Sequence, residues 1–199
     1  QTAEDRYLSL VDKNFKVICE TEVNKKLNLV YTWSNDKYVA ITEYTTQMWM
    51  GKDKSISEAI HLYRLDNFSK VGTMKIEKVN GKFLEHKKIL IFPANDTTLI
   101  ISLYGIMYIV DIETMKTRKK INLGEAKTVI QIVKDKNDSN IFYSMSEIGS
   151  LFKWTLDGSI LVKNTGPCAC KFHLINNQKE LVSDFYLSGV VIQSVEETE

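Results

Sequence analysis

The sequence predicts an all-β chain built from a repeated four-strand unit, and three observations carry that prediction. Side chains alternate with period two in runs such as Leu27/Leu29/Tyr31/Trp33 and Val129/Gln131/Val133, the pattern of a strand with one face buried. No stretch carries the 3.6-residue stripe of an amphipathic helix. Strands opened by glycine at Gly105, Gly149 and Gly189 recur at a spacing of about 40–45 residues, which is the length of one supersecondary repeat.

The elements follow in chain order. Residues 7–12 and 16–23 read as two strands, the later half of a repeat. Residues 27–33 and 38–45 are strands separated by the turn Ser34-Asn35-Asp36, whose short polar side chains bond their own backbone. Residues 60–66 and 70–76 complete that unit, and between its second and third strands lies an insertion at 47–58. It explains why Lys16 and Lys70, taken as equivalent, lie further apart than Lys70 and Lys116. The next unit has strands at 89–92, 98–103, 105–112 and 116–123, with Pro93-Ala94-Asn95-Asp96 as its first turn. A third repeats the order at 129–133, 141–146, 149–156 and 159–164. The last offers 172–175, 181–186 and 189–195.

Four short strands per unit, with a glycine turn before the third, are the plan of a propeller blade. Gly105 is followed five residues later by Val110 and then Asp111, and Gly149 by Trp154 and then Thr155. This order of turn glycine, bulky residue and Asp resembles the WD40 family. The resemblance implies an all-β, WD40-like β-propeller of four-stranded antiparallel blades, about four of them in this chain. The divisions are a half blade at 6–23, blades at about 27–77, 82–123 and 127–164, and an incomplete blade at 168–195. No Gly-His pair opens a blade and no Trp-Asp dipeptide occurs, so the family's Asp-His-Ser-Trp network is not expected. The family usually closes with seven blades, which implies a segment of a larger propeller or one completed by another chain.

Composition narrows the function classes. The 199 residues carry 26 Lys+Arg against 25 Asp+Glu, a formal net charge of +1, so bulk electrostatics does not favour nucleic acid. The most apolar stretch, residues 99–110, is broken by Ser102 and Gly105 and is well short of the ~20 residues of a spanning helix. Gln1-Thr2-Ala3-Glu4-Asp5 lacks an initiator Met and any basic-then-apolar targeting pattern, and reads as a processed or trimmed end. Three cysteines, Cys19, Cys168 and Cys170, do not make a disulfide scaffold, so the expected compartment is intracellular, cytoplasm or nucleus. Sequons at Asn67, Asn95 and Asn137 pull the other way, toward secretion.

Catalytic signatures are sparse. His61 falls in a strand and His86 in the charged run Glu85-His86-Lys87-Lys88. No Gly-x-Ser-x-Gly elbow, phosphate-cradling glycine loop or His-Glu-x-x-His helix occurs. The glycosidase propellers' Ser-x-Asp-x-Gly turn has only Met145-Ser146-Glu147-Ile148-Gly149 as its nearest match. No enzyme activity and no cofactor are therefore expected. Cys168, Cys170 and His173 form the one local cluster of zinc-ligand types, read more simply as small packed residues in a turn after Pro167.

Binding signals are stronger. The insertion carries Met48, Trp49 and Met50, apolar types that serve as interface anchors and that a solvent loop rarely displays. Lys116, Arg118, Lys119 and Lys120 form a basic run on the outermost strand of their blade, suited either to an acidic partner or to guarding an edge against aggregation. The expectation is a non-catalytic scaffold that binds other protein subunits, with no membrane contact. An RNA- or phosphopeptide-binding module using the basic strand is the alternative.

Overall fold

The computed structural model describes residues 6–11, 13–23, 28–49, 52–76, 89–103, 105–123, 128–165, 171–175, 180–185 and 189–194. Among them every regular element is a β-strand, and every strand pairing is antiparallel between neighbours in sequence. By contact density the chain divides into two compact units, Gln1–Lys87 with Asp111–Lys116, and Lys88–Val110 with Thr117–Glu199.

The first unit holds a two-stranded sheet and a four-stranded one. Strands β1 (Arg6–Val11) and β2 (Val17–Val23) form a hairpin. Strands β3 (Asn28–Ser34), β4 (Tyr38–Trp49), β5 (Lys52–Arg64) and β6 (Lys70–Lys75) follow in the order of the chain. Asn35 closes the β3–β4 turn, its Oδ1 accepting from the Lys37 and Tyr38 amides at 2.9 and 2.8 Å. On one face Val39, Ile41, Tyr63 and Phe68 are buried together, with Leu29 and Leu65 against them.

The insertion at 47–58 is not a loop. Strands β4 and β5 continue through it, with Thr45 opposite Ile56, Met48 opposite Asp53 and Trp49 opposite Lys52. Thr45, Thr46 and Ile56 are β-branched and favour extended backbone, and a bulge between Glu43 and Tyr44 re-aims the pair as it leaves the sheet.

The second unit holds two four-stranded sheets and a three-stranded one. The first is β7 (Ile89–Asn95), β8 (Thr98–Leu103), β9 (Ile106–Asp111) and β10 (Thr117–Asn122). The second is β11 (Val129–Lys134), β12 (Ile141–Ser146), β13 (Ser150–Thr155) and β14 (Ile160–Thr165). Strands β15 (Lys171–Ile175), β16 (Glu180–Phe185) and β17 (Gly189–Ser194) make the last. Gly105 and Gly149 open the turns into β9 and β13 with φ of 79° and 83°, a conformation that costs other residues free energy.

One core joins the two four-stranded sheets of this unit. Ile100, Met107, Ile109 and Ile121 from one meet Val129, Ile132, Phe142, Phe152 and Trp154 from the other. Phe142 stacks on Trp154 at 5.2 Å and meets Phe92 edge-on at 6.2 Å, geometries that add to the area each ring buries. Lys134 ties the same sheets together by donating to the Ala94 carbonyl at 2.8 Å.

Candidate interaction surfaces

The clearest projecting feature is the distal part of the β4–β5 hairpin. Strand β3 pairs with β4 only as far as Tyr44, and β6 pairs with β5 only from Ala59. Beyond those points the two strands run on as a ribbon with no third strand on either side among the described residues. Met48 and Trp49 occupy its last β4 positions, while Met50 lies outside the described residues.

The basic run lies where the sequence places it, with Lys116 in the turn and Arg118, Lys119 and Lys120 on β10, the outermost strand of its sheet. All four side chains are exposed, yet they are not simply displayed to solvent. Lys119 Nζ donates to the Asp157 carbonyl, and Lys120 Nζ lies 5.4 Å from the Tyr108 ring centre, a cation–π contact. The carboxyl of Asp157 is held down at about 2 by hydrogen bonds from the Thr155 hydroxyl and from Ser159, with a small contribution from Lys119.

Cys168 and Cys170 lie outside the described residues, and of His173 only the backbone in β15 is described. Among the described residues no group of three His, Cys, Asp or Glu side chains could hold a metal ion. Two sequons explain themselves as turn chemistry. The Asn67 and Asn95 Oδ1 atoms accept from the Ser69 and Thr97 amides at 2.9 and 3.0 Å, an Asx turn in each case.

Two polar constellations went unread in the sequence. In one, His61 on β5 bonds Glu43 on β4 through Nε2 and Thr73 on β6 through Nδ1, both at 2.9 Å. The residue types are those of a hydroxyl–imidazole–carboxylate relay, but the histidine is only 7% exposed, and the relay clamps three strands together, with Thr73 opposite His61 and Glu43 diagonal to it. Burial pushes the His61 value below 6.5, assisted by Lys70 and opposed by Glu43. In the other, Trp154 Nε1 donates to Ser144 Oγ at 3.1 Å with both residues buried. Ser144 lies opposite Phe152 across β12 and β13, so Trp154 is its diagonal neighbour.

No family model matches the chain, and no curated protein matches it in sequence. Among solved structures, the crystal structure of Raptor from Chaetomium thermophilum is similar, with a TM-score of 0.57 at 10% identity. The similarity covers 97% of this chain and 18% of that one, so this chain spans less than a fifth of that protein. At this identity the likeness concerns fold alone. Together with the sheets described above, it establishes an all-β architecture of successive four-stranded antiparallel units, consistent with segments of a β-propeller.

Proposed function

We propose that this chain is a non-catalytic protein–protein interaction scaffold, a WD40-like propeller segment acting as a subunit of a multiprotein complex. The β4–β5 ribbon carries this reading, because it extends past both neighbouring strands and brings Met48 and Trp49 to its end. A ribbon of two strands buries little of its own surface, and Trp is a common anchor of interfaces. Other protein subunits are the intended partners, including a chain that completes the propeller. The exposed side chains of Lys116 and Arg118 would offer a separate basic contact to an acidic partner.

The test is Trp49→Ala in the intact protein. Subunits that co-purify with the wild type are expected to be lost, while the melting temperature stays within about 2 °C, because a hot-spot anchor outside the core changes binding rather than folding. Undiminished co-purification would remove the ribbon from the interface.

A further inference from the structure

Among the described residues, the turns β1–β2, β5–β6, β9–β10 and β13–β14 each hold one residue in the left-handed region: Phe15 (φ 63°), Phe68 (53°), Met115 (53°) and Gly158 (94°). Two of these turns close identically. Arg64 N–H donates to Ser69 O with Phe68 next to last, and Asp111 N–H donates to Lys116 O with Met115 next to last. Aligned on this conformation, Phe15 corresponds to Phe68 and Met115, and Lys70 falls one place later than Lys16 and Lys116.

Bulky side chains are poor occupants of this region, where glycine or asparagine is usual. Burial explains two of them. Phe68 is 5% exposed and packs against Tyr63 with the rings tilted and their centres 5.5 Å apart. Met115 is 2% exposed and lies against Gly72 of β6, where a Cβ on the glycine would come within 3.0 Å of the methionine. Phe15 has the same left-handed φ but is 86% exposed. Its hairpin also displays Tyr7, Val11, Val17 and Ile18.

The occupied turns show what such a residue sits on. Met115 rests on β6, the outermost strand of the preceding sheet. In the second unit the turn at Gly158 rests on Lys119 and Ile121 of β10, again the outermost strand of the preceding sheet. We infer that Phe15 is a docking residue for the outermost strand of a further antiparallel sheet, seated on a glycine or alanine of that strand as Met115 is seated on Gly72. The inference rests on reading the sheets as successive blades of an assembly, and it assigns the β1–β2 hairpin, rather than the β4–β5 ribbon, as the surface that receives another blade.

The experiment has two arms. In the isolated chain, Phe15→Gly is expected to hold or raise the melting temperature by about 2–4 °C, since glycine accepts the backbone freely. A drop would mean that Phe15 packs within the chain, and would overturn the inference. In the intact protein, p-benzoylphenylalanine at position 15 is photolysed and the adduct peptide sequenced, with isotope-mixed protein to reveal adducts between copies. The expected adduct lies on a β-strand outside this chain, beside a glycine or alanine. An adduct on this chain or on a second copy, on RNA or lipid, or none at all, would overturn the assignment. Trp49→Ala leaves this adduct in place even where the scaffold reading of the ribbon fails, so the two outcomes separate.

Discussion

Single residues decide how tightly each sheet is specified. Ser144 and Trp154 are both buried, and the indole N–H has the serine hydroxyl as its partner at 3.1 Å. Ser144→Ala removes the acceptor and leaves that donor sealed from water, which costs about 1–3 kcal/mol. The expected fall in calorimetric melting temperature is about 2–4 °C per kcal/mol for a chain of this size. A variant melting within a degree of the wild type would show that the bond contributes nothing. The pair gives no signal in the sequence, because a Ser and a Trp ten positions apart meet only once β12 and β13 are paired. The left-handed Phe15, Phe68 and Met115 escaped for a related reason. Turn chemistry is legible through Gly, Asn and Asp, and a phenylalanine or methionine in such a position gives no local signal.

Strands were legible through alternation and the turns that bound them, although the alternating residues do not all share a buried face: Tyr31 is 65% exposed, and β11 buries Val129 and Ile132 across a register shift. The period-two runs at Leu29/Tyr31/Trp33 and 129–133 became β3 and β11, and the Asn and Gly turns fell at their ends. The insertion misled because its residues, Gln47, Lys52, Asp53, Lys54 and Ser55 among them, are polar on both sides. A strand that leaves its sheet loses the alternation by which strands are recognised. The His61 clamp belongs to this scale as well, because it joins β4, β5 and β6 through Glu43 and Thr73. Burial and Lys70 hold His61 below 6.5 in the folded chain, with Glu43 opposing. Around that pH the unfolded chain therefore binds more protons than the folded one, and stability rises with pH. His61's contribution is full above about 6.5 and is lost as pH falls through the lower folded value. Between pH of about 7.5 and 5.5 the wild type should lose more melting temperature than His61→Gln. Equal losses in the two proteins would show that His61 does not titrate with folding.

For the molecule as a whole, the near-balance of charge and the placement of the basic strand bear on the RNA-binding alternative. A protein that grips phosphates with several lysines shows affinity falling steeply with salt, by a log–log slope of about −0.7 per contact on single strands. Here Lys119 is engaged by the Asp157 carbonyl and Lys120 by the Tyr108 ring, so both side chains are committed within the second unit. Gly158 belongs to the same contact, since a Cβ there would come within 2.8 Å of the Lys119 side chain. Reversing both charges, Lys119→Glu with Lys120→Glu, should therefore act on folding. It sets a carboxylate against the Asp157 carbonyl and removes a cation–π contact of about 0.5–1 kcal/mol at an exposed site. The melting temperature should fall by a few degrees, while anisotropy with a short single-stranded RNA stays unchanged from low to high salt. The opposite pattern, tight salt-dependent binding by the wild type that the double reversal abolishes at constant stability, would make β10 a phosphate-binding strand.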